Sequence, residues 1–177
     1  SAAYNYISFG SEIKIEEVNE NWAQVFIFKK NKVLKKFIPI SHLVKINYVE
    51  QDWVRTAEKF LHTPYKWGGK SFLGIDCSAL CQISLLSKYK NISRNSSQQE
   101  IEIGQKIYNQ NNNSDLKGLM RGDLVFWIGH VGIMVNNKEI IHANAFHARV
   151  EKEQLFEAIE RMQQSGLKIT SVNRVNY

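Results

Sequence analysis

The sequence predicts an α+β chain in two parts: a small all-β barrel over residues 1–47, then a domain over residues 48–177 in which helices precede an antiparallel sheet. Three observations lead there. Up to residue 47, short β-rich runs recur about every 10 residues between polar turns. From residue 52 the apolar spacing becomes helical. From residue 123 it returns to short β-rich runs.

In the first part Ile13, Ile15 and Val18 mark one strand. Trp22, Gln24, Phe26 and Phe28 alternate with Ala23, Val25 and Ile27 in the next, and residues 33–44 supply a third. Asn19-Glu20-Asn21 and Lys29-Lys30-Asn31-Lys32 read as turns. Residues 48–51 form a linker. Asp52 is placed to cap a helix carrying Trp53, Ala57, Phe60 and Leu61, which must end by Thr63 because Pro64 follows. A second helix runs from about Cys77 to Ser87. A third begins at Ser96, where Ser96-Ser97-Gln98-Gln99 has capping-box spacing. Residues 109–114 read as a polar loop. Strands then fall at 123–128, 131–135, 140–145 and 148–150, with a hairpin turn at Asn136-Asn137-Lys138. Leu155, Ile159 and Met162 mark a helix, and residues 167–172 a last strand. No internal repeat is visible.

The 177 residues include 44% hydrophobic and 23% charged side chains, a globular balance. The net charge of +6 is scattered along the chain without an aromatic-interleaved basic stripe, so nucleic acid is not an expected partner. No stretch approaches the roughly 18 apolar residues of a membrane span. The chain is expected to be a monomer. The first residues, Ser1-Ala2-Ala3-Tyr4, show neither the basic nor the apolar region of a secretory signal. Cys77 and Cys81, one helical turn apart, are expected to be free thiols, which suits a reducing compartment.

Cys77 carries the chemistry. It stands in Gly74-Ile75-Asp76-Cys77-Ser78, where a loop turns into a helix. The N–H groups at a helix start favour a thiolate, and the same groups can hold the oxyanion of a tetrahedral intermediate. His130 follows by 53 positions and His142 by a further 12, both in strand-like surroundings. His130 is the natural general base for the thiol, and His142 can orient it as the third member of a triad. Cys81, His42, His62 and His147 read as structural. A formal zinc set of Cys77, His130, His142 and His147 lacks compact ligand spacing, so no metal or other cofactor is expected. Asp76 raises the thiol pKa by repulsion, so it is expected to serve elsewhere, as an N-cap or as an ammonium site. Arg94 reads as a carboxylate site or a solvated side chain, and Tyr65 and Trp67 as pocket or core aromatics.

The motifs Thr63-Pro64-Tyr65-Lys66-Trp67-Gly68-Gly69, Gly74-Ile75-Asp76-Cys77-Ser78, Arg121-Gly122-Asp123-Leu124-Val125-Phe126, Gly129-His130-Val131-Gly132-Ile133 and Ile141-His142-Ala143 occur in that order. Together they make residues 52–177 resemble the NlpC-type cell-wall peptidases, which are papain-like cysteine peptidases of bacteria. The segment before them resembles the bacterial SH3-like barrel that accompanies such domains. Within the family the likeness is to alphaproteobacterial dipeptidyl-peptidase-like members, whose third-residue segment also reads His-Ala-Asn-Ala. Ala79 departs from the glycine usual after the Cys-Ser pair.

The resemblance implies a triad of Cys77, His130 and His142 acting on murein stem peptides. The bond cleaved would join γ-D-glutamate to a diamino acid such as meso-diaminopimelate. Tyr65 matches a tyrosine near the oxyanion site and Trp67 a pocket wall. Asp76 and Ser78 match positions that meet a free N-terminal L-Ala amine. Arg94 and Ser96 match the stretch that meets the substrate carboxylate. The barrel is expected to complete the amine pocket, with Tyr4, Tyr6, Glu16, Glu17 and Tyr48 as candidates. Substrates with a free amine suggest released fragments and murein recycling, favouring the cytoplasm over the periplasm. The other readings are a cysteine amidase or acyl transferase on the same scaffold, or a silent wall-peptide binding module.

Overall fold

The computed structural model describes residues 6–29, 32–88, 91–109 and 116–175. The chain divides into two compact units, Ser1–Val49 and Glu50–Tyr177.

In the first unit β1 (Ile15–Val18), β2 (Trp22–Lys29) and β3 (Lys32–Pro39) form one antiparallel sheet in the order β1-β2-β3. Asn19 makes the first turn, its Oδ1 accepting from the Asn21 and Trp22 amides. Along β2, Ala23 and Val25 are buried while Trp22, Phe26 and Phe28 face outward, as period-2 alternation requires. The third strand stops at Pro39 rather than reaching residue 44, because the chain tightens there into a 3-10 turn, Ile40–His42. Among the described residues these three strands are less than a closed barrel. Lys30 and Asn31 of the expected second turn, and Tyr4, lie outside the described residues.

In the second unit α1 (Val54–Glu58) is shorter than its apolar spacing suggests. Trp53, Ala57 and Phe60 are buried as expected, but Asp52 makes no side-chain cap. Its carboxylate instead accepts from Arg121 Nε at 3.0 Å. Arg121 also donates to Glu58, so the Arg121-Gly122-Asp123 turn ties the sheet to α1. A small hairpin of β4 (Lys70–Ser71) and β5 (Gly74–Ile75), unforeseen in the sequence, leads into α2 (Cys77–Leu86). Then come α3 (Ser96–Glu102) and β6 (Gln105–Asn109), a strand where the sequence suggested none. Residues 110–114 of the expected polar loop lie outside the described residues.

The remaining elements are β7 (Asp123–Trp127), β8 (His130–Met134), β9 (Glu139–Asn144), β10 (Arg149–Gln154), α4 (Leu155–Gln164) and β11 (Ile169–Arg174). Their sheet is antiparallel in the order β10-β9-β8-β7-β11-β6. Asn136 closes the β8–β9 hairpin, its Oδ1 accepting from the Lys138 and Glu139 amides at 2.8 Å. α4 lays Leu155, Ala158 and Ile159 on a cluster with Val125, Trp127, Met134 and Ile140. α2 packs against β8 and β9.

The loop before β4 is held by two glycines in different ways. Gly68 has φ +74°, a left-handed conformation that favours glycine. Gly69 must approach backbone closely: a Cβ there would lie 2.7 Å from the Gly74 carbonyl carbon and 2.9 Å from Lys66 O. Gly69 O also accepts from the Asp76 amide at 3.2 Å, so this approach sets the entry to α2. Gly69→Ala is expected to cost about 1–3 kcal/mol, as overpacking does where the obstacle is main chain. Urea unfolding checks this; an unchanged midpoint would contradict it.

Candidate active site

Asp76 organises the cysteine side. As N-cap of α2 it accepts from the Ala79 amide at 2.8 Å, which orients the first turn and with it Cys77. Ala79 is fully buried there. Asp76 also accepts from the Gly68 amide at 2.9 Å, from Ser78 Oγ at 3.2 Å and from Arg94 through Nη1 at 2.8 Å and Nη2 at 2.5 Å. Arg94 Nη1 donates to Ser78 Oγ as well, at 2.9 Å. The loop bearing Arg94 is fixed by Gln99. Its Nε2 donates to Ser78 O at 2.9 Å and Ser93 O at 2.8 Å. The capping box expected at Ser96 is therefore not made: Asn95 precedes the helix without a side-chain cap, and Gln99 is spent on α2.

Cys77 is 8% exposed. The backbone amides of Val131, Ser78 and Cys77 itself act to lower the proton affinity of its thiol. Val131 lies on β8 beside His130, so the start of α2 meets the start of β8. His130 is half-buried, and its Nε2 stands 2.8 Å from Nδ1 of the fully buried His142. The second nitrogen of His142, Nε2, is 2.6 Å from Glu153 Oε1 on β10. Arg161 of α4 grips that carboxylate through Nη1 at 2.5 Å and Nη2 at 2.6 Å.

Burial governs the electrostatics. It pushes the Cys77 thiol up and outweighs the three amides that favour thiolate, with the Asp76 charge adding to the rise. The expectation that the helix start lowers this pKa is thus reversed in the closed site. Burial likewise takes His130 down to about 3, with His142 and Arg161 assisting and Glu153 opposing. A thiol pushed up and an imidazole pushed down each favour the neutral form. For Asp76, burial acts upward, but Arg94 and the Ala79 and Gly68 amides overcome it and hold the carboxyl below its usual range. Glu153 is also resisted by burial, yet His142 and Arg161 bring it to about 2.

The structure thus gathers Asp76, Ser78 and Arg94 around Cys77, and His130 next to His142. Tyr65 is half-buried, its hydroxyl pKa raised by burial and by the charges of Cys77 and Asp76. Trp67 is 83% exposed, so it is no core aromatic. Ser96 opens α3, half-buried, and the hydrogen bonds to Asp76 come from Arg94 instead. Cys77 and Cys81 are free, and burial drives the Cys81 thiol upward. His147 stays beside the site, its Nδ1 3.1 Å from Asn144 Oδ1 and 3.9 Å from Glu153. Among the described residues no three His, Cys, Asp or Glu side chains make a metal-binding group. Of the first-unit candidates, Tyr6 and Tyr48 are exposed, and Glu16 pairs with Lys14 at 2.8 Å. Sequence reasoning does not find Glu153 and Arg161. The signal for Glu153 is the β9–β10 hairpin register, which opposes Glu151 to His142 and so sets Glu153 on its diagonal.

Residues 62–170 match the NlpC/P60 family. Dipeptidyl-peptidase 6 of Lysinibacillus sphaericus is 34% identical over 103 residues, covering 58% of this chain and 35% of that protein. The γ-D-glutamyl-L-lysine dipeptidyl-peptidase of Bacillus subtilis is 27% identical over 144 residues, covering 75% of this chain and 46% of that protein. The chain spans about a third to a half of the length of the curated relatives it matches. Among solved structures, an NlpC/P60 family protein from Bacillus cereus superposes with a TM-score of 0.73 at 22% identity, over 95% of this chain and 55% of that one. The peptidoglycan hydrolase RipB of Mycobacterium tuberculosis gives 0.53 at 22% identity, over 72% of this chain and 65% of its own.

Both depressed carboxylates contribute stability that is complete above the unfolded-state carboxyl pKa and is lost as pH falls through the folded-state value. Unfolding free energy is therefore expected to decline from about pH 5 downward. Arg94→Met should lower neutral stability by about 1–3 kcal/mol, the low side for breaking a buried pair because the Arg94 side chain is 34% exposed. It should also flatten the acid decline. Denaturant titrations at several pH values check both, and parallel slopes would contradict the role given to Asp76.

Proposed function

Because the chain belongs to the NlpC/P60 family, we propose that it is a cysteine peptidase of murein stem peptides, cleaving between γ-D-glutamate and a diamino acid such as meso-diaminopimelate. One observation carries this: a thiol at the start of α2, a helix packed against β8, whose first residue His130 is hydrogen-bonded to His142. Cys77 is the nucleophile, His130 the base and His142 its orienting partner. The thiol proton passes to His130 as Sγ adds to the γ-glutamyl carbonyl. The amides at the start of α2 hold the resulting oxyanion. Collapse breaks the C–N bond, and His130 returns the proton to the leaving amine. Water, giving a proton to His130, then splits the thioester and releases the acyl dipeptide. The names of the Lysinibacillus and Bacillus subtilis relatives support dipeptide release and the γ-D-glutamyl bond.

Tyr65 and Trp67 are assigned to the groove wall near the scissile bond, and Ser96 to the carboxylate end beside Arg94. Asp76 and Ser78 are assigned to the free amine of an N-terminal L-Ala. Asp76 already accepts from five donors, so an incoming ammonium must displace Arg94 from it. The freed guanidinium then meets the substrate carboxylate. The three-stranded first unit is read as part of an SH3-like barrel, on the strength of its short antiparallel strands. A requirement for a free amine points to released fragments, and two free thiols fit recycling in a reducing compartment. No helix among the described residues is long and apolar enough to cross a membrane.

Wild type is expected to split L-Ala-γ-D-Glu-meso-diaminopimelate into L-Ala-D-Glu and the free diamino acid, with Cys77→Ala slower by roughly a thousandfold or more. Absence of product, or full rate in Cys77→Ala, would sink the assignment. N-acetylation of the same tripeptide should slow cleavage at least about tenfold, a loss of one charged contact. Equal rates would remove Asp76 and Ser78 from the amine site.

A further inference from the structure

We propose that Glu153 is a positioning residue, which fixes the tautomers of both histidines and anchors the positive charge that develops on them, with Arg161 locking it in place. This role rests on the Cys77–His130–His142 triad proposed above.

Hydrogen-bond donors and acceptors dictate the tautomers. Glu153 is clamped by Arg161, and its side chain is only 8% exposed. Its ionised state is the one both partners favour. An ionised carboxylate only accepts, so His142 Nε2, 2.6 Å away, must carry a proton and donate. A neutral His142 then offers its Nδ1 lone pair. His130 Nε2, 2.8 Å from that nitrogen, must donate to it. This leaves Nδ1 as the one basic nitrogen of His130. A single carboxylate, acting through His142, therefore decides which nitrogen of the base can take a proton.

The same chain acts on charge. When His130 accepts the thiol proton it becomes an imidazolium in a site that disfavours it. Glu153 is the opposing negative group on the far side of His142 and raises the affinity of both rings for protons. Arg161 acts in the other direction on both, and also stacks its guanidinium over the Phe146 ring at 4.4 Å. The other titratable groups at this end are His147, 3.9 Å from Glu153, Glu151, which lies opposite His142 in the hairpin register and pairs with Arg149, and, around the thiol, Asp76, Arg94, Tyr65 and Cys81. A merely structural Glu153–Arg161 pair would brace β10 against α4 and leave the thiol's reactivity untouched.

Two measurements separate the roles. In the wild-type protein, imidazole nitrogen and carbon NMR shifts should report both His130 and His142 as Nε2–H tautomers; Nδ1–H on either ring overturns the inference, and no variant is needed. In the second, the rate of iodoacetamide alkylation of Cys77 is measured at neutral pH. Glu153→Gln keeps the side-chain volume but removes the charge. Its alkylation should slow roughly tenfold or more, because the imidazolium formed as His130 takes the thiol proton has lost the charge that favours it. Its kcat should fall roughly tenfold or more with KM little changed, a loss typical of an outer hydrogen-bond partner. Adding Arg161→Gln removes the uncompensated cation and should recover part of the loss. A Glu153→Gln alkylation rate equal to wild type overturns the proposal. An alkylation rate unchanged by His130→Ala overturns the underlying triad instead, so the two failures are distinguishable.

Discussion

A charge taken out of water must be paired, and this constraint organises both halves of the site. Behind Cys77 stands Asp76, held by Arg94; behind His142 stands Glu153, held by Arg161. Each carboxylate holds several groups at once. Asp76 caps α2, closes the Gly68-Gly69 loop and tethers the segment before α3. Glu153 joins β10 to α4 while touching a histidine of β9. The fold brings the start of α2 to the start of β8, and these two ion pairs fix the orientation of what meets there.

The pairs leave the reacting groups neutral. Burial overrides the helix-start amides at Cys77 and lowers His130 strongly, so the proton rests on sulfur. The amides that fail to make a thiolate at rest still favour negative charge at the sulfur. Donors fixed in advance need no reorganisation when negative charge appears during acyl transfer. In the proposed reaction the buried site would stabilise charge as acyl transfer generates it, not before.

Much of the second unit was legible because its signals are local. The helix start at Cys77 follows from an N-cap aspartate, the β8–β9 turn from Asn136, and the core of α4 from Leu155 and Ile159. What the sequence hid depends on distant partners. Asp52 and Gln99 look like helix caps, yet Arg121 claims one, and the carbonyls of Ser78 and Ser93 claim the other. Glu153 lies beyond the strand expected at 148–150, and the sequence carries no local signal for it. Only the hairpin register, Arg149 opposite Asn144, carries it to His142. Trp67 shows the converse: an aromatic in a glycine-rich loop has no periodicity to reveal which side faces water.

The central claim is that Cys77 forms a covalent bond to a γ-D-glutamyl carbon. The most direct measurement is rapid acid quench of the enzyme during turnover of the murein tripeptide, followed by peptide mapping by mass spectrometry. An L-Ala-D-Glu thioester is expected on the peptide containing Cys77, formed and lost at rates compatible with turnover. Product release without any acyl adduct on Cys77 across the quench series, or an adduct on another residue, would contradict it.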